Sequence, residues 1–78
     1  MESIQGFLRD LLSRRDPHGY YVIPVDVDRV DEILKSIKGE GIKVLYANDI
    51  ALVKTRSRGL AARIARIAAK MEALVTEF

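Results

Sequence analysis

Lys43, Lys54, Arg56 and Arg58 fall within one short stretch of this sequence, Arg63 and Arg66 follow it, and Tyr20 and Tyr21 stand side by side upstream. Ammonium and guanidinium groups follow phosphate oxygens, and a tyrosine ring offers an unstacked base a π face worth about 1–3 kcal/mol per stack. Phosphate contacts add affinity that falls with salt, with a logarithmic slope of about 0.7 per phosphate neutralised on a single strand. These residue types together meet the physical requirements of single-stranded nucleic acid binding, and neither contribution demands a particular base sequence. The plainer alternative is that the cations only solubilise the surfaces that carry them.

Other groups point to less. Asp26, Asp28, Asp31 and Glu32 cluster in the manner of a divalent metal site, yet the spaced glycine and distal carboxylate of a calcium loop are missing, and helix capping explains them better. His18 is the one histidine, sits beside Gly19 in a turn, and has no cysteine or second histidine near it. Gly39-Glu40-Gly41 lies between a helix and a strand, the reverse of a phosphate-binding strand-loop-helix, and reads as a connector. No catalytic residue, metal or cofactor is implied, so the expectation is a protein that is not an enzyme.

The charge is unevenly placed. Net charge is +2, but residues 41–70 hold seven basic groups against one acid, while residues 26–40 hold five acids against three bases. A positive field of this kind suits a polyanion. At 78 residues the chain is one domain, small for independent stability, and it has no cysteine with which to form a disulfide. Association between chains is then the natural supplement. The 23 isoleucine, leucine and valine residues argue for a genuine core, and 31% charged residues for a soluble, cytoplasmic protein. We find no uninterrupted apolar stretch long enough to cross a membrane, and no membrane partner is expected. One asparagine, one glutamine and no cysteine lean toward a heat-adapted source.

The elements that must position these groups follow from periodicity. Ile4, Phe7, Leu8, Leu11 and Leu12 form one face of a first helix, capped by Ser3 and ending near Arg14, ahead of Pro17. Tyr20–Val27 alternates as a strand, with Tyr21, Ile23, Val25 and Val27 on the buried face, and Pro24 places it at a sheet edge. Asp28 caps a second helix with Asp31 and Glu32 in its first turn, Val30, Ile33, Leu34 and Ile37 as its buried face, and Gly39 beyond its end. Ile42–Ala47 and Ile50–Arg56 flank Asn48-Asp49 as a hairpin. A two-residue turn sets Ala47 opposite Ile50, Leu45 opposite Leu52 and Lys43 opposite Lys54, with Tyr46–Ala51 and Val44–Val53 on the reverse face. That reverse face, Tyr46 included, is expected to pack beneath the helices. Tyr20, Val22 and Pro24 then share the other face with Lys43, Leu45, Leu52 and Lys54, unless the first helix covers it. A register slip of one residue would exchange Tyr20 and Tyr21. Facing lysines cost about 0.2–1 kcal/mol, and an anion or acidic partner between them relieves this.

A last helix carries Leu60, Ile64, Ile67, Met71, Leu74 and Phe78 at alternating spacings of four and three, the seam of a coiled coil. This stripe is the expected interface of a homo-oligomer, dimer or tetramer, although a single helix packed on its own sheet also needs an apolar stripe. Ala61, Ala62, Ala65, Ala68, Ala69 and Ala73 lie on the other side and permit close approach of a neighbour. The fold expected is α+β, in the order α-β-α-β-β-α, with a three-stranded sheet and a long C-terminal amphipathic helix, as one compact domain over residues 1–78.

Across essentially the whole chain, this order of elements, the Tyr20-Tyr21 pair, the basic hairpin with Lys43, Lys54 and Arg56, and the terminal stripe from Leu60 to Phe78 resemble the small relatives of the ThermoDBP-type single-stranded DNA-binding proteins of thermophiles. The resemblance is architectural. It implies sequence-tolerant binding of single-stranded DNA by a fold other than the OB-fold, with chains associated through helices and the DNA shielded within the assembly. The rival expectations are a protein-interaction or regulatory subunit, and a binder of duplex DNA or RNA.

Overall fold

A computed structural model describes residues 4–37 and 41–75. Ser3, Gly39 and Phe78, each assigned a role above, lie outside them, as do the side chains of Ile4, Phe7 and Leu8. The elements are α1 (Ile4–Ser13), β1 (Tyr21–Asp26), α2 (Val30–Lys35), β2 (Lys43–Ala47), β3 (Ile50–Thr55) and α3 (Arg58–Lys70), the expected α+β order. The sheet runs β1-β3-β2. Both outer strands are antiparallel to β3, so β1 and β2 are parallel to each other and α2 makes the crossover between them. The hairpin register is the one the two-residue turn dictates, from Ala47 opposite Ile50 to Lys43 opposite Lys54. Asn48, a residue that tolerates the left-handed region, takes φ +59° in that turn.

Alternation divides the sheet into two faces. Tyr21, Ile23 and Val25 of β1 and Ala51, Val53 and Thr55 of β3 are buried beneath Val30, Ile33 and Ile37 from the second helical segment and Ala61, Ile64, Ala65 and Ala68 of α3. Leu11 and Leu12 of α1 pack against the same core. On the outer face Pro24 is buried and Val22 and Leu52 are half-buried. That face opens at the end carrying Lys43 and Lys54. Tyr46 departs from expectation: it lies on the inner face yet is 59% exposed. The cause is reach, since α3 lies over β1 and β3 and leaves the tip of β2 bare.

The C-terminal helix is shorter than the stripe implied. The last helix does not continue to Phe78; it stops at Lys70, where the amide of Glu72 donates to the Ala69 carbonyl and that of Ala73 to the Ala68 carbonyl. This pair of bonds is the Schellman ending, and it holds Glu72 at φ +56°. Ile64 is fully buried in its own domain, and Leu60, Ile67, Met71 and Leu74 pack against the core. The small face is occupied as well, because Ala61, Ala65 and Ala68 let the helix settle closely on the sheet. In α2 the cap differs: the helix starts at Val30, Arg29 provides no side-chain cap, and the carboxylate that accepts an amide is Asp26, from Asp28.

Beyond the Schellman turn the chain runs along the outer edge of β1. Asp26 donates to the Ala73 carbonyl at 2.8 Å, Val75 donates to the Pro24 carbonyl at 3.0 Å, and Leu74 bridges Val25. The missing N–H of Pro24 therefore faces this edge rather than β3, as a proline in an outer strand requires. Residues 73–75 take the place a fourth strand would hold, so the chain from β1 onward follows a split β-α-β connectivity.

Candidate nucleic-acid interface

The loop between α1 and β1 is built on one carboxylate. Asp16 Oδ1 accepts from the amides of His18 at 2.9 Å and Tyr20 at 2.8 Å, and its own amide donates to the Tyr20 carbonyl at 2.8 Å. Pro17 suits the tight turn, and Gly19 supplies the φ of +86° that a side chain would resist. The second oxygen, Oδ2, lies 3.3 Å from Lys54 Nζ across the sheet. The Tyr20 amide, more than any other contact, lowers the Asp16 pKa below its ordinary value; the His18 amide and Lys54 add to this, while partial burial opposes it.

This clamp delivers Tyr20 to the open end of the outer face. Lys43 Nζ lies 5.2 Å and Arg56 Cζ 4.7 Å from the centre of its ring. Asp16, His18, Tyr20, Lys43, Val44, Leu45, Lys54 and Arg56 line an open groove of about 700 Å³. Four of the expected residues, Tyr20, Lys43, Lys54 and Arg56, are thus brought together. They are not equivalent. Lys54 is half-buried against Asp16, which relieves its repulsion with Lys43 from within the chain, whereas Lys43 and Arg56 make no ion pair among the described residues.

The other expected contacts lie elsewhere. Tyr21 is 4% exposed, its hydroxyl accepts from Arg15 Nη2 at 2.9 Å, and the Arg15 guanidinium sits over its ring, so it cannot receive a base. Arg58 is exposed in the first turn of α3, and Arg63 and Arg66 are exposed further along that helix; none lines the groove. Asp16, His18 and Val44 are groove residues that sequence reasoning left out, while Leu45 lies on the face that the hairpin register gave it. Asp16-Pro17-His18-Gly19 does carry the signal of a side-chain-closed turn, an aspartate ahead of proline and glycine. Among the described residues no group of acids and histidines could hold a metal ion, and no helix is long and apolar enough to cross a membrane.

Comparisons with protein-family models, curated proteins and solved structures returned no match to this chain.

Proposed function

We propose that this protein binds single-stranded DNA with little regard to sequence, through the groove around Tyr20, and performs no chemistry on it. The observation that carries the reading is the ring of Tyr20 framed by two cations, Lys43 and Arg56, that have no acidic partner among the described residues, on an open sheet end. Sheet faces bearing aromatics are a recurrent platform for splayed single strands. In the free chain the two cations rest on the ring, a contact worth about 0.5–1 kcal/mol at an exposed site. A base stack is worth about 1–3 kcal/mol. The two contacts together, about 1–2 kcal/mol, are roughly offset by one base stack, and the phosphate contacts of Lys43 and Arg56 supply the gain. A ring stacks on any base, and the cations Lys43 and Arg56 follow phosphates, which fits tolerance of sequence. A relationship to the ThermoDBP type belongs to the same proposal.

Titration of a fluorescent oligonucleotide, single-stranded and duplex, at two salt concentrations tests it. Tyr20→Ala should weaken single-strand binding about 5- to 150-fold, the range of one lost stack. Lys43→Ala should lower the salt slope by about 0.7. Absence of single-strand binding at low salt, or equal affinity for the duplex, overturns the reading, and a matching RNA strand tells whether the sugar matters.

A further inference from the structure

We propose that two copies of this chain join through the outer edge of β2, antiparallel about Leu45, into one six-stranded sheet, three strands from each. The two edges of the sheet are treated differently. Residues 73–75 occupy the edge of β1, while no described element pairs with the outer edge of β2. An unpaired strand presents a row of N–H and C=O groups to another chain, and proteins that avoid such pairing place prolines, bulges or inward charges there. Lys43–Ala47 reads Lys-Val-Leu-Tyr-Ala, with one charge at its end and none of the other devices.

The side chains favour a strand as partner. Leu45 at 53% and Tyr46 at 59% are the exposed large apolar residues of the described chain, and they point to opposite faces of the same strand. A helix docking on one face covers one of them. A strand meeting β2 edge to edge shields both.

The backbone selects the register. The pair next to a two-residue turn is hydrogen-bonded, so Ala47, Leu45 and Lys43 turn their backbone groups to β3, and Tyr46 and Val44 turn theirs outward. Of the possible two-fold axes, the one through Leu45 pairs all five residues of β2. Val44 then exchanges both bonds with Tyr46 of the second copy, Leu45 faces Leu45, and each Lys43 faces an Ala47, which keeps like charges apart. Residues directly opposite one another point to the same face. Both grooves therefore open on one side of the joined sheet.

The consequence for the site rests on the nucleic-acid reading; the pairing itself does not. Lys43, Val44 and Leu45 form the wall of the groove at this very edge. Leu45 and Ala47 of the second copy extend its floor, and strand spacings place the two Tyr20 rings roughly 35 Å apart along one diagonal track. A strand long enough to reach both rings gains from effective concentration.

The oligomer is tested without DNA, by sedimentation of the wild type against Tyr46→Pro. Proline removes an outward N–H and leaves the bonds to β3 in place. The expected result is a wild-type mass of twice 8.8 kDa and a monomeric variant. Leu45→Cys provides a second test in a chain that has no cysteine of its own. A non-hydrogen-bonded antiparallel pair has Cα atoms about 4.5 Å apart, within disulfide reach, so mild oxidation should cross-link the variant while Arg63→Cys stays single. A monomeric wild type, or an oligomer that survives Tyr46→Pro and yields no Leu45→Cys cross-link, overturns the proposal even if DNA binds. With DNA, Tyr46→Pro should lose about tenfold or more for a long strand and nothing for one too short to span; failure to bind DNA while mass and cross-link hold sinks the functional reading alone.

Discussion

Asp16 is a single carboxylate on which the groove depends twice, once through the backbone of Tyr20 and once through Lys54. Asp16→Asn keeps an oxygen for the amides of His18 and Tyr20 and removes the charge that holds Lys54. The variant should bind single-stranded DNA more tightly, with a salt slope steeper by up to about 0.7, as Lys54 becomes free for a phosphate. Unchanged binding would show that Lys54 does not reach the strand. The acid response separates the two proteins as well. The folded Asp16 pKa lies below its ordinary value, so its contribution to stability is complete above the unfolded pKa of about 3.9 and is lost as pH falls through the lower folded value. Thermal unfolding at pH 5 and pH 2.5 should show a larger loss in wild type than in Asp16→Asn. At this scale the sequence was readable in kind and, in part, in position. Alternation put Tyr21 on the buried face and Tyr20 on the other, as found, and both stayed candidates because a slip of one residue would exchange them; the fold around them, the Asp16 clamp above all, depends on contacts that no local signal sets.

Among the elements, the hairpin was the most legible. Asn48-Asp49 fixes the turn, the turn fixes every pair to Lys43 and Lys54, and a period of two assigns the faces. The end of α3 was the least legible. Leu60, Ile64, Ile67, Met71 and Leu74 keep a helical spacing past the true stop, and the residue at the left-handed position is a glutamate where glycine would have marked the boundary. Leu74 holds its place in the pattern by coincidence, since it bridges Val25 from an extended segment. Glu72→Gly should therefore stabilise the fold by up to about 1 kcal/mol, because glycine adopts φ +56° without steric cost. In a domain of this size such a gain raises Tm by about 4–8 °C, measured by circular dichroism. A lower Tm would mean that the Glu72 side chain contributes more than its backbone strain costs. Small side chains misled in the same helix: Ala61, Ala65 and Ala68 were readable as a surface for a neighbour, and they are the surface on which the helix meets its own sheet.

For the whole molecule, the excess of positive charge divides between two surfaces. Lys43, Lys54 and Arg56 border the groove, whereas Arg63 and Arg66 stand on the helix that covers the opposite face of the sheet. In the linear sequence they form one basic run, and only the packing of α3 separates them. An Arg63→Ala, Arg66→Ala double variant should keep single-strand affinity within about threefold and leave the salt slope unchanged, while a Lys43→Ala, Arg56→Ala variant should flatten the slope by about 1.4, the contribution of two phosphate contacts. Equal effects in the two variants would mean that the strand wraps the domain. Of the seam that looked most like an interface, Ile64 is buried in its own domain and Leu60, Ile67, Met71 and Leu74 pack on that core, whereas Leu45 and Tyr46 of β2 are the exposed large apolar residues among those described.

The short segment 73–75 decides what kind of assembly such a sheet can form. On the proposed pairing, with β1 already bordered, each copy offers one free edge among the described residues, and growth would stop when two such edges meet. A chain lacking that border would carry two complementary rims and could add copies without limit, as a filament does. Three residues after a helix ending thus separate a self-limiting pair from a polymer.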